Sequence, residues 1–242
     1  MKDICVVHLV RNCNDPALFE QFIDSYKRHP AGVEHDIAIA AKGYDSPLDL
    51  NGSGILPDGK SSLFSMRDIG FDITAYHAVV EQYAQDYRYF CFLNSYSQIQ
   101  DDFWLQKIYQ TITLPNVGLV GCTGSWESAP NLPAFPNYHI RTNAFMIEGE
   151  DFLSCGTTPA TKEECNAFEA GENSLTRQLV AKGKECLVVG KGGTGIDKEH
   201  WNLSNTFRQG EQENLMVSDN RTDHYQYADL MTRDYLRKLA WG

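Results

Sequence analysis

The feature that most constrains this chain is the run Ile-Cys-Val-Val-His-Leu-Val at residues 4–10, apolar at every position but one. Apolarity without alternation suits a strand covered on both faces, as in a parallel sheet flanked by helices. Comparable runs recur at Asp36–Ala41, Arg88–Leu93, Val117–Cys122 and Cys186–Val189, and Leu63–Met66 and Ala144–Ile147 read as shorter strands. Helical signals fall between them. Asp15-Pro16 supplies a cap and a first-turn proline ahead of Leu18, Phe19, Phe22, Ile23 and Tyr26 on one helical face. The spacing predicts further helices over Ile73–Tyr87 capped by Asp72, and over Phe103–Ile112 capped by Asp101 or Asp102. Others follow a Thr161-x-x-Glu164 capping box, span Asn173–Lys182, and lie near Ala228–Leu239 at the end of a polar tail that starts at Lys198. Strand and helix in alternation predict an α/β fold, a wound and mostly parallel central sheet with helices on both faces.

Bulk properties narrow the function. A length of 242 residues, 42% of them hydrophobic, predicts a single domain over 1–242. Thirty-two acidic against 21 basic side chains leave a net charge of −11, which argues against a nucleic-acid partner. No apolar run approaches the roughly 20 residues that span a bilayer. Met1-Lys2-Asp3 leads into the first strand without a signal-peptide pattern, so a cytoplasmic location is expected. The seven cysteines include Cys5, Cys91, Cys122 and Cys186 within apolar runs, where reduced thiols act as small hydrophobes. No Cys-x-x-Cys pair or zinc-like His/Cys spacing occurs, and no structural metal is expected.

In a wound sheet, ligands lie outside the carboxyl ends of the strands. The residues there are polar: Arg11-Asn12, Lys42, Arg67-Asp68-Ile69-Gly70-Phe71-Asp72, Asn94-Ser95-Tyr96-Ser97 and Thr123-Gly124-Ser125-Trp126-Glu127. A Gly/Pro/Asp-rich loop at 43–60 has the length of a segment that covers a site. The Gly190–Gly195 stretch lacks the order of a phosphate-binding loop and reads as a flexible connection.

The strand order, the Asp68-x-Gly70-x-Asp72-x-x-Ala75-Tyr76 stretch leading into a helix, and the strand ending Phe92-Leu93-Asn94-Ser95-Tyr96 together resemble a GT-A glycosyltransferase. The first motif is similar to one in proteins of rhamnan and O-antigen synthesis. The resemblance implies a nucleotide-diphospho-sugar donor on the first half of the sheet, about 1–125. It implies a saccharide or glycolipid acceptor on the second half, about 126–242, and a role in surface polysaccharide synthesis.

On that footing the donor would meet His8, Arg11, Lys42, Asp68, Asp72, Asn94 and Tyr96, while Arg141, Asn143 and Trp126 would orient the acceptor. A core role for His8 and a capping role for Asp72 stand beside those readings. The family commonly carries Asp-x-Asp where this chain reads Asn94-Ser95-Tyr96, and neutral groups hold Mn2+ or Mg2+ poorly. Arg208, Arg221 and His224 are therefore candidates for a cationic lid over the diphosphate, with solvated surface charge as the alternative. Inverting transfer needs a carboxylate base. Glu172 is the candidate, because Glu169 through Arg177 resembles the Glu-Asp-x-x-Leu region of inverting GT-A enzymes, with Glu169 displaced from the pattern. The alternative for Glu172 is a favourable position at the start of the following helix. A GT-A-shaped sugar- or nucleotide-binding module without catalysis is the second functional reading.

Overall fold

A computed structural model describes residues 3–44, 61–156 and 158–242. The expected loop at 43–60 lies almost wholly outside them. Strand β1 (Ile4–Arg11) leads through helix α1 (Ala17–Arg28) to β2 (Asp36–Lys42), and β3 (Ser61–Met66) precedes α2 (Asp72–Tyr83). Then come β4 (Tyr89–Leu93), β5 (Gln98–Ile99), α3 (Trp104–Ile112), β6 (Val117–Gly121), β7 (Gly124–Ser125), β8 (His139–Ile140) and β9 (Ala144–Glu148). Helices α4 (Gly149–Leu153), α5 (Lys162–Ala170) and α6 (Leu175–Ala181) precede β10 (Glu185–Val189), β11 (Gly195–Ile196) and a 3-10 turn at Trp201–Leu203. Strand β12 (Val217–Ser218) and helices α7 (Asn220–Tyr227) and α8 (Leu230–Trp241) follow.

The central sheet runs β11-β10-β6-β9-β4-β1-β2-β3. Strands β1, β2, β3 and β4 are mutually parallel, as are β6 and β10, while β9 is inserted antiparallel to both β4 and β6. Alternate side chains therefore enter separate cores on the two faces. One contains Val7, Phe90, Phe92 and Phe145 with Tyr76 of α2, and the other contains Val6, Cys91 and Met146 with Phe22 of α1 and Trp104 of α3. Truncating a fully buried ring such as Phe92 to alanine would cost about 3–5 kcal/mol.

The local sequence explains most of the helix ends. Thr161 and Glu164 form the expected capping box, in which Glu164 N–H donates to Thr161 Oγ1 at 3.1 Å and Thr161 N–H to Glu164 Oε2 at 3.1 Å. Two expected caps do not form. Helix α2 starts after Phe71, and the carboxylate of Asp72 accepts the N–H of Ile73 at 3.1 Å inside its first turn. Helix α3 starts after Phe103, which is in a left-handed conformation; Asp101 instead pairs with Lys107, and Asp102 shares a hydrogen bond with His29 Nδ1 at 2.7 Å.

The tail from Lys198 is more than a polar appendage. Trp201, Phe207, Met216 and Val217 are buried, and β12 pairs with β5. Glycines 190 and 192 are also tied down, the first packed against Asn214 and the second donating its N–H to Asn214 Oδ1 at 2.9 Å.

Candidate active-site cleft

Strand register sets the donor-side residues side by side. Arg11 pairs with Lys42 across β1 and β2, and Lys42 with Met66 across β2 and β3, so three strand ends finish at one level. Asp68 turns back over this edge and accepts two hydrogen bonds from Arg11 Nη2, 2.9 Å to Oδ1 and 3.1 Å to Oδ2. Lys42 is fully buried, and its ammonium donates to the carbonyls of Gly70 at 2.8 Å and Phe71 at 3.0 Å. Gly70 adopts φ +67°, a left-handed turn in which a Cβ would collide with Thr74. Burial lowers the Lys42 pKa, as does Arg11, against the opposing pull of Asp68 and Asp72. Lys42 thus anchors the loop that presents Asp68 and Asp72.

His8 belongs to the core beneath this edge. Its ring stacks on Phe22 with centroids 3.6 Å apart and planes 5° apart, and neither ring nitrogen has a hydrogen-bond partner. Burial pushes its pKa down to about 3, so it is a neutral wall of a shallow crevice that also includes Arg11, Asn14, Phe19, Tyr44 and Ser95. At the end of β4, Asn94 Oδ1 accepts the Tyr96 N–H at 3.0 Å and the Ser97 hydroxyl at 3.1 Å, which makes it a turn former. Ser95 Oγ accepts from Asn14 Nδ2 at 2.8 Å, and Tyr96 is exposed. These groups do not fit a divalent cation, since they are neutral and the Asn94 oxygen is already engaged twice. Among the described residues no three His, Cys, Asp or Glu side chains gather as ligands.

The second half of the sheet contributes a cleft of about 220 Å³, lined by Ser125, Glu127, His139, Arg141, Glu169, Phe207, Arg208 and Arg221, among others. Arg141 lies over the Phe207 ring at 4.1 Å and donates to Asp219 Oδ2 at 2.9 Å. Arg208 also lies over that ring, at 4.8 Å, and donates to Glu127 Oε2 at 2.9 Å. Its Nε is buried without a partner. Burial lowers the Arg208 pKa, and Arg141 and Arg221 lower it further against the pull of Glu127. Three guanidinium groups thus share one wall, and an anion placed among them would relieve their repulsion.

Glu169 faces this wall from the end of α5. Its Oε2 accepts the backbone N–H of Thr142 at 2.7 Å and also the Thr142 hydroxyl, which leaves Oε1 without a hydrogen bond among the described residues. Burial, and after it the charge of Glu169, raises the Asp72 pKa, so the donor-side loop and the cleft lie within electrostatic reach of each other. His139 is buried beside Glu169. Its Nδ1 must donate to the Asn137 carbonyl at 2.7 Å, and burial lowers its pKa against the opposing pull of Glu169.

Several sequence-based expectations need correction. Glu172 lies outside the cleft: its side chain is 79% exposed and sits 3.8 Å from Arg177, because α5 ends at Gly171 and the chain turns outward there. His224 is exposed and does not line the cleft, unlike Arg208 and Arg221. Trp126 packs among Phe135, Tyr138 and Trp241 and donates its indole N–H to the Lys198 carbonyl at 3.3 Å, so it secures the C-terminal helix. Asn143 is buried, with Oδ1 accepting from Thr123 at 2.9 Å and Nδ2 unpartnered. Sequence reasoning missed His139 and Asp219. The two-residue spacing of His139 and Arg141 and the Asp219-x-x-Thr222 capping pattern were the available signals.

A larger hollow, about 390 Å³, lies beside α6 and the amino half of β10 and includes none of the expected site residues. Its position at the amino end of a strand sets it apart from where ligands of wound sheets bind.

No family model matches the chain, and no curated protein matches it in sequence. Among solved structures it is similar to the mannosyltransferase PcManGT from Pyrobaculum calidifontis, determined in complex with GDP-Man and Mn2+. That likeness has a TM-score of 0.54 and 10% identity over 85% of this chain, which spans 60% of the length of the mannosyltransferase chain. HddC from Yersinia pseudotuberculosis aligns over 66% of this chain and 83% of its own, with 12% identity and a TM-score of 0.43, too low to carry weight. At such identities the shared property is the architecture, and this chain has a GT-A-type fold.

Proposed function

We propose that this protein is an inverting glycosyltransferase that moves a sugar from a nucleotide-diphospho-sugar to a hydroxyl of a saccharide or glycolipid, in surface polysaccharide synthesis. The observation that carries the reading is the convergence of Glu169, which has an oxygen without a hydrogen bond among the described residues, and three arginines, Arg141, Arg208 and Arg221, on a single cleft that Glu127, paired with Arg208, also lines. In this reading Glu169 Oε1 takes the proton of the acceptor hydroxyl while that oxygen bonds to the anomeric carbon. The bond from that carbon to the diphosphate breaks, and the leaving charge is met by the guanidinium wall. No step is assigned to a metal ion, because the groups at Asn94-Ser95-Tyr96 do not suit one. Arg11 and Asp68 neutralise each other and offer hydrogen bonds to the uncharged part of the donor.

The neutral Asn94-Ser95-Tyr96 triplet favours a second reading, a binding module without turnover. Thermal shift with a panel of nucleoside diphosphates, with and without manganese, tests for the donor site, because a ligand bound only by the folded chain raises its melting temperature by mass action. Incubation with nucleotide sugars and release of nucleoside diphosphate then separates the two. Stabilisation without release would leave the binding module, and neither effect would remove both.

A further inference from the structure

His139 carries a ring nitrogen that neither the packing of the cleft nor the transfer uses. The residue sits on β8 opposite Ser125 of β7 and two positions before Arg141, and all three line the cleft. Nδ1 lies 2.7 Å from the Asn137 carbonyl, which only accepts, so Nδ1 carries the hydrogen. Nε2 makes no hydrogen bond among the described residues. The ring nitrogens that are sealed from solvent without a partner belong to His8 and His77, so Nε2 of His139 is reached from the cleft. Burial lowers the pKa of the ring from its ordinary 6.5 despite Glu169 and the Asn137 carbonyl, with Arg141 adding to the fall and Glu127 opposing it. At about pH 7.5 the ring is neutral and Nε2 offers a lone pair.

Two residues that line the cleft thus each keep one acceptor atom without a hydrogen bond among the described residues, Nε2 of His139 and Oε1 of Glu169. The other charged groups named at the cleft differ. Glu127 is paired with Arg208 at 2.9 Å, and Arg141, Arg208 and Arg221 only donate. A hydroxyl has one hydrogen to give, so two acceptors call for two hydroxyls. We propose that His139 is a substrate-binding residue, its Nε2 accepting a hydrogen bond from a second hydroxyl of the molecule whose first hydroxyl Glu169 deprotonates, so that the acceptor is a sugar with two free hydroxyls. The fate of the first hydroxyl rests on the transferase reading, whereas the contact to the second does not. The second hydroxyl keeps its proton, and two contacts fix the orientation of the sugar where one would leave it free to turn. A second carboxylate at this place would repel Glu169 and draw on the guanidinium groups that meet the leaving diphosphate, while a neutral ring adds an acceptor without charge.

The test is long-range proton–nitrogen NMR of the full chain with labelled histidine at about pH 7.5, titrated with methyl glucoside, methyl mannoside and methyl galactoside and with their monodeoxy analogues. The His139 signals are those missing from His139→Asn. A protonated Nδ1 and a bare Nε2 are expected in the free chain, with the Nε2 signal moved by at least one glycoside and left in place by one of its monodeoxy analogues. His139→Asn keeps an amide N–H for the Asn137 carbonyl and removes the lone pair. With the responding glycoside as acceptor it should raise KM about five- to tenfold, with a smaller change in kcat and none in nucleoside diphosphate affinity. His139→Gln, with an amide oxygen near the place of Nε2, should recover part of that loss. A proton on Nε2, an Nε2 signal unmoved by every glycoside or moved alike by all the deoxy analogues, or an unchanged KM in His139→Asn would each overturn the proposal. So would a loss confined to kcat, which would make the ring a base. A moved Nε2 signal in a chain that releases no nucleoside diphosphate from any nucleotide sugar would remove the transferase reading and leave the contact standing.

Discussion

Glu169 receives two hydrogen bonds from Thr142, one from its backbone N–H and one from its hydroxyl, both on the same carboxylate oxygen. The pair locks the carboxylate at the end of α5, where Glu169 lines the cleft, to the strand end after β8 and leaves the other oxygen without a hydrogen bond among the described residues. Glu169→Gln should lower the turnover number about a hundred- to ten-thousand-fold with nucleoside diphosphate affinity nearly unchanged. Glu172→Gln, at an exposed site, should behave like the parent protein. Steady-state kinetics on both variants check this, and the reverse ranking would return the base to Glu172.

Arg221 lines the cleft and has no ion pair among the described residues. Replacing it with alanine should weaken nucleoside diphosphate binding about tenfold or more, the effect of losing one charge-assisted contact to an anion. Titration calorimetry measures it. Unchanged affinity in Arg221→Ala would assign the diphosphate to another part of the sheet edge.

Asp219 is almost fully buried and does two tasks: Oδ1 accepts the N–H groups of Arg221 and Thr222 at 2.9 Å each, and Oδ2 accepts from Arg141. Asp219→Ala strands a buried guanidinium and removes the cap of α7. The expected loss of folding stability is about 3–5 kcal/mol from the broken pair, with about 1 kcal/mol more from the cap. Urea denaturation should show a lower midpoint at constant slope. Asp219→Asn can still accept the N–H groups and should lose less.

Acid should destabilise the fold through His8 and His77. Burial pushes their pKa values down from 6.5, to about 3 and about 4 respectively. The unfolded chain therefore takes up protons below about pH 6.5 that the folded chain refuses. The full stability is present above that pH and is lost as pH falls, up to about 1.4 kcal/mol per pH unit for each ring. His77 ceases to contribute near its folded value, and His8 continues below it. His77→Leu, which also removes the unpartnered Nε2 beside Phe152 and Phe168, should flatten the slope between pH 6.5 and 4 by one proton's worth. Urea midpoints across that range measure it, and an unaltered slope would remove His77 from the account.

Local patterns in the chain were enough to determine the seven longer strands of the central sheet, most helices and the class of fold, but not the two-residue strands β5, β7, β8, β11 and β12. The runs at Ile4–Val10 and Arg88–Leu93 are largely apolar because both sheet faces are covered. The polar strand ends were also legible, since Arg11, Lys42 and Asp68 follow directly on apolar runs. Only the tertiary structure decided what those ends do. Asn94 spends its oxygen on its own turn, His8 turns into the core, and Trp126 packs against Trp241, outcomes that depend on neighbours distant in sequence. The choice between Glu169 and Glu172 was of the same kind. The two lie three residues apart, but α5 ends between them at Gly171, so one carboxylate meets Thr142 and the other meets solvent. Periodicity reports which side of an element is apolar, while convergence of side chains from β8, α5 and α7 is a property of packing that no local pattern encodes.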